Sequence, residues 1–160
     1  MKRMIAIFLL MVMLYPLSLK SNMKIPVVNL PAISETELKC LAENIHYEAP
    51  MEPYLGKLAV ATVTMNRVRH PNFPKTVCDV VYQKNTRGCQ FSWTCGPKMK
   101  FNSRIYNESL EIARNVLTYN TSVVTLENAL YFHNTSSTPN WKFARPVVQI
   151  GRHIFYELKT

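Results

Sequence analysis

The sequence predicts a mainly α, α+β domain with a small two-stranded β element. Three segments carry apolar residues at helical spacing, and the last thirty residues are rich in β-branched and aromatic side chains. The 160 residues are 48% hydrophobic and 18% charged, with 10 prolines and only 4 glycines. That balance excludes a disordered tail, a collagen-like repeat and a coiled coil, and no internal repeat divides the chain. One core is expected.

Residues 1–21 read as a signal peptide or signal anchor. Lys2 and Arg3 precede an almost unbroken apolar run over residues 4–19, interrupted only by Pro16 and Ser18. The run is short for a membrane span, yet no good small-residue cleavage site follows, so secretion and anchoring through residues 4–19 both stay open. Residues 22–33, with Pro26 and Pro31, read as an extended linker, and residues 34–160 as the folded domain.

Within that domain Ser34 and Glu37 have capping-box spacing, and Leu38, Leu41, Ala42, Ile45 and Ala49 then recur at helical period. The first helix is therefore expected over 35–48, ended by Pro50. A second, apolar nearly all round, spans 54–68 and is expected at the buried centre. Pro71 and Pro74 break the chain before a short helix over 76–82. Residues 84–100 read as a stapled loop. A long helix over 103–119 places Tyr106, Leu110, Ala113 and Leu117 on one face. Residues 128–133 and 147–156 read as two strands around a loop.

The formal charge is +9, and +6 once Lys2, Arg3 and Lys20 leave with the N-terminal segment. A basic exported domain suits anionic cell-wall polymers or lipid head groups; the scattered cations, Arg67 among them, read mostly as solvated surface and form no nucleic-acid face. Cys40, Cys78, Cys89 and Cys95 read as disulfides in an oxidising compartment. Of three possible pairings, Cys89 with Cys95 closes a short loop and leaves Cys40 with Cys78, the favoured pattern. A zinc site lacks any CxxC and has dispersed histidines, and a reactive Cys89–His133 pair gives way to a cystine.

The acids comprise nine Glu and Asp79 alone. Glycoside cleavage needs a carboxyl held protonated near neutral pH, which burial and a helix C-terminus both favour. With about 100° per residue, Glu48 lies on the edge of the first helix's apolar stripe and at its last turn, whereas Glu43 faces water. Glu48 is thus the candidate acid. Glu52, in Pro50-Met51-Glu52-Pro53, reads first as a turn-fixing carboxylate.

The run Cys40-Leu-Ala-Glu-Asn-Ile-His-Tyr-Glu48-Ala-Pro-Met-Glu52-Pro-Tyr-Leu-Gly56-Lys-Leu-Ala-Val60-Ala-Thr-Val-Thr-Met-Asn66-Arg67-Val68 resembles the SleB/CwlJ-type cell-wall hydrolases. The motifs around Phe73-Pro74, Cys89-Gln90-Phe91-Ser92-Trp93, Tyr131-Phe132-His133-Asn134 with Trp141, and Ile150-Gly151-Arg152-His153 follow in the family's order, so the resemblance covers about residues 38–157. It implies a lysozyme-like, lytic-transglycosylase-like helical fold acting on peptidoglycan glycan strands. It also implies one glutamic acid, Glu48 by position, that protonates the glycosidic oxygen and then helps the C6 hydroxyl close a 1,6-anhydro ring.

Glu52, Gln90, Phe91, Ser92, Trp93, Tyr131 and His133 are the expected substrate-binding residues, with Trp93 offering a flat face to a sugar; Trp141 and Tyr156 read equally as core. Neither metal nor other cofactor is implied, and a monomer is expected. One departure stands beside the acid, where Pro50-Met51 replaces the family's Arg-Gly. A hydrolytic muramidase using Glu48 and Glu52, and a non-catalytic wall-binding or lysis-accessory protein, are the competing readings.

Overall fold

The computed structural model describes residues 33–86 and 88–159, so the targeting segment and all of the linker but Ile33 lie outside the described residues. Helix α1, Glu35–Glu48, begins where Ser34 Oγ accepts the Glu37 amide at 3.4 Å. Glu37 itself does not fold back on the cap. Its carboxylate accepts the amides of Val77 (2.6 Å) and Cys78 (3.4 Å), capping α3, Val77–Val81, instead. The Cys40–Cys78 disulfide, Cα to Cα 5.2 Å, fastens the same two helices.

Helix α2, Tyr54–Arg69, is the buried centre that its all-round apolar sequence predicts. Its α1 side joins a core with Leu38, Leu41, Ile45, Val77, Val81 and Ile112, and its other side packs Ala59 and Val63 on Leu126, Ala129 and Phe155. Helix α4, Ser103–Tyr119, is capped by Asn102 and ends at Asn120 in the left-handed region. Its deepest stripe is Ile105, Ser109, Ile112, Ala113 and Val116; the expected Tyr106, Leu110 and Leu117 flank it, partly buried.

Two expectations are corrected in the β structure. The 84–100 loop contains a short antiparallel hairpin, β1 Lys84–Asn85 with β2 Gly88–Cys89, where Gly88 takes φ 125°. The C-terminal sheet has three antiparallel strands instead of two: β3 Ala129–Asn134, β4 Ala144–Ile150 and β5 His153–Leu158, in the order β3-β5-β4. The β-rich segment expected as a single strand over 147–156 doubles back at Gly151, whose φ of 57° makes the turn.

That turn is held from a distance. Glu52 Oε2 accepts the Arg152 amide at 3.1 Å, and Oε1 meets Arg152 Nε at 3.4 Å. A Cβ on Gly151 would collide with the Glu52 carboxylate, and one on Gly56 would stand 2.9 Å from Glu52 Cβ, so glycine on both sides makes room for this side chain.

Candidate active site

Glu48 is the last residue of α1, and Pro50 after it leaves the side chain at the wall of a cavity of about 270 Å³. Arg67 from the last turn of α2, Cys89 to Ser92 after β2, and Tyr131, Phe132 and Trp141 complete the lining. Burial pushes the Glu48 carboxyl up to about 7, against the opposing attraction of the Arg67 guanidinium. A carboxyl that titrates there is populated in both protonation states near neutrality, as an acid that must also act as a base requires.

Arg67 is only 2% exposed. Its Nε donates to Leu130 O at 2.8 Å, and with the Gln90 amide oxygen turned inward, both terminal nitrogens donate to it at 3.2 Å. The guanidinium carbon lies 5.1 Å from the Phe91 ring centre, 5.6 Å from Phe73 and 5.9 Å from Tyr131. Burial lowers its pKa to about 10, so it is still a cation at neutral pH. Reading Arg67 as solvated surface is thus corrected; the cation beside the acid arrives from α2, while Pro50 and Met51 stand outside the lining and Met51 is 74% exposed.

Of the expected binding residues, the fold brings Gln90, Phe91, Ser92 and Tyr131 to Glu48 and leaves three elsewhere. Trp93 is a core residue, 6% exposed, stacked on Tyr47 with centroids 4.6 Å apart and donating from Nε1 to Asn44. The flat face at the cavity belongs to Trp141. His133 sits behind Trp141, centroids 5.5 Å apart, with its ring nitrogens occupied by Tyr156 Oη (2.9 Å) and Asn134 O (2.8 Å). Glu52 lines a separate cavity with Tyr54, Lys57 and Glu108, its carboxylate engaged by Arg152. Cys89 pairs with Cys95, Cα to Cα 6.0 Å, and bounds the loop that carries Gln90 to Ser92.

A family model described as cell wall hydrolase matches residues 51–156, two thirds of the chain, starting just after Glu48. The chain belongs to the cell wall hydrolase family. The chain is 33% identical over 133 residues to the spore cortex-lytic enzyme of Bacillus subtilis, covering 81% of the chain and 40% of that protein. It is 34% identical over 134 residues to that of Oceanobacillus iheyensis, covering 81% and 45%, so it spans less than half the length of these relatives.

Among solved structures it is similar to the catalytic domain of the Bacillus cereus SleB protein, with TM-score 0.56 and 29% identity over 80% of this chain and 95% of that one. It is also similar to the catalytic domain of the germination-specific lytic transglycosylase SleB from Bacillus anthracis, with TM-score 0.56, 28% identity and coverage of 78% and 96%. The chain thus has the mixed, mainly helical, lysozyme-like fold its motifs imply.

Proposed function

We propose that the chain is an exported peptidoglycan-degrading enzyme that cleaves the MurNAc–GlcNAc glycosidic bond as a lytic transglycosylase. The observation that carries this reading is a lone carboxyl, Glu48, held near pH 7 in a cavity whose described lining has no second carboxylate. Glu48 gives its proton to the bridging oxygen, and the bond from that oxygen to C1 breaks. As carboxylate it then takes the proton of the C6 hydroxyl while that oxygen closes onto C1. An attacking group supplied by the substrate removes the need for the second carboxylate that ordinary glycosidases use.

Trp141 and Tyr131 flank the sugar, and glycan strands are the only partner required; a monomer suffices, with any membrane contact through residues 4–19. The hydrolytic reading needs Glu52 as base, and its engagement by Arg152 in another cavity argues against that. Digestion of purified peptidoglycan followed by mass spectrometry tests the proposal. Chains ending in 1,6-anhydro-muramic acid are expected; reducing ends would point to the hydrolase, and intact strands to a wall-binding accessory protein.

A further inference from the structure

Arg67 presents an unusual balance of charge. It is buried, yet each partner that fixes it is neutral: a backbone carbonyl, the Gln90 amide oxygen and three aromatic rings. It forms no ion pair among the described residues. A buried cation without a counter-charge is costly, and five neutral partners hold this one in place. The carboxyl whose charge acts on it is Glu48.

We infer that Arg67 is the positioning residue that lets one carboxyl serve as acid and then as base, its fixed guanidinium standing where the negative charge of Glu48 appears once the proton has left. This rests on the reading of Glu48 as the acid. The bond from C1 to the bridging oxygen breaks with its electron pair on that oxygen, which takes the Glu48 proton. The carboxylate so formed shares the cavity wall with Arg67, whose charge stabilises it until it accepts the proton of the attacking hydroxyl. Because the guanidinium is already anchored, nothing reorganises as the charge develops. Burial favours the protonated Glu48 and Arg67 opposes it, so the cation offsets part of the cost of the ionised state that the second half of the reaction needs.

The groups facing Glu48 are few. Arg67 comes from α2 and Tyr131 from β3; the loop after β2 offers Gln90, Phe91 and Ser92, and Cys89 is in a disulfide. On α1 itself Glu43 accepts from Tyr82 Oη at 2.6 Å, and His46 packs on Phe101 and Tyr106. Among the described residues Arg67 is thus the one cation of the lining.

Carboxyl carbon NMR of the full chain reads the Glu48 titration without any substrate, and pH profiles of peptidoglycan cleavage read the consequence. In Arg67→Met the Glu48 midpoint is expected to rise by about one pH unit or more, with the alkaline limb of kcat rising alongside it and kcat falling at least about tenfold. Arg67→Lys should bring both back toward wild type. Should Arg67→Met fail to fold, Arg67→Gln carries the test, because its neutral amide can still donate to Leu130 O while removing the charge, and it should raise the midpoint likewise. A Glu48 midpoint unmoved in these variants overturns the inference. So does a rise in KM alone, with kcat and the alkaline limb unchanged, which would make Arg67 a substrate anchor. Full turnover in Glu48→Gln would instead sink the assignment of the acid, while the titration would still report the coupling.

Discussion

Glu52 and Arg152 are 100 residues apart in sequence, and the carboxylate of one accepts the backbone amide of the other at 3.1 Å. This contact joins the start of α2 to the β4–β5 turn and so sets the sheet on the central helix. Glu52→Ala leaves the Arg152 amide without its acceptor and should cost about 1–3 kcal/mol in denaturant unfolding. Gly151→Ala should cost at least about 1 kcal/mol, from the positive φ and the collision with Glu52 together. In both, the pH profile of residual activity should keep its wild-type shape, because Glu52 is outside the Glu48 cavity.

Glu48→Gln keeps the size of the side chain and removes the proton donor. Turnover on peptidoglycan should fall by about 10² to 10⁴-fold with binding of glycan fragments little changed. Glu43→Gln is the control on the same helix; Glu43 bonds to Tyr82 and is absent from the cavity lining, so turnover should stay within about threefold.

The same variant should change how stability depends on pH. The folded protein holds its Glu48 proton up to about 7, whereas the unfolded chain releases it near the ordinary 4.5. Between those values the native state binds more protons, so the wild type loses stability as pH rises. Below the lower value the carboxyl adds no pH dependence, and above the upper one the loss is complete, at most about 3.5 kcal/mol given about 1.4 kcal/mol per pH unit. Relative to wild type, Glu48→Gln should therefore gain stability as pH rises from 4 to 8, read as a widening gap between melting temperatures.

The two tryptophans should separate cleanly. Trp93→Ala removes a buried ring and the donor to Asn44, and should destabilise by about 3–5 kcal/mol. Trp141→Ala should leave the melting temperature within a few degrees and raise KM for glycan fragments. A rise in KM caused by Trp93→Phe, with none from Trp141→Ala, would reverse the assignment.

The disulfides close loops of very different length, 38 residues for Cys40–Cys78 and 6 for Cys89–Cys95. In the chain-entropy account the longer loop contributes more, by about 1.5 kcal/mol. Replacing Cys40 and Cys78 with Ala should lower the unfolding midpoint further than replacing Cys89 and Cys95. The second pair should instead show its loss in turnover, since its loop carries Gln90 to Ser92 to the cavity.

The helices were legible because their signals are local. Ser34 caps, Pro50 stops, and the apolar period between them puts Glu48 on the edge of the stripe where the structure has it. What escaped sequence reasoning depends on partners far along the chain. Trp93 looks like a sugar platform until Asn44 and Tyr47 enclose it, and Arg67 looks solvated until Leu130 and Gln90 close over it. Its signal lay in the shared motif, Asn66-Arg67-Val68, and not in charge or period. The third strand was hidden because Gly151 interrupts an otherwise continuous β-rich segment, and a lone glycine there fits a bulge as well as a turn.

Consecutive residues at the end of α2 grip the opposite wall. Asn66 Nδ2 donates to Leu126 O at 2.6 Å and to Ala129 O at 2.9 Å, and Arg67 Nε donates to Leu130 O. The helix cannot part from β3 and the turn before it without breaking three buried hydrogen bonds together, two to the strand and one to Leu126, so amides here should exchange with solvent only on global unfolding. The wall of the cavity that α2 and β3 form is thereby fastened from within, and the Cys89–Ser92 stretch facing it is tied through the Cys89–Cys95 bond and the contacts of Gln90 and Phe91 with Arg67.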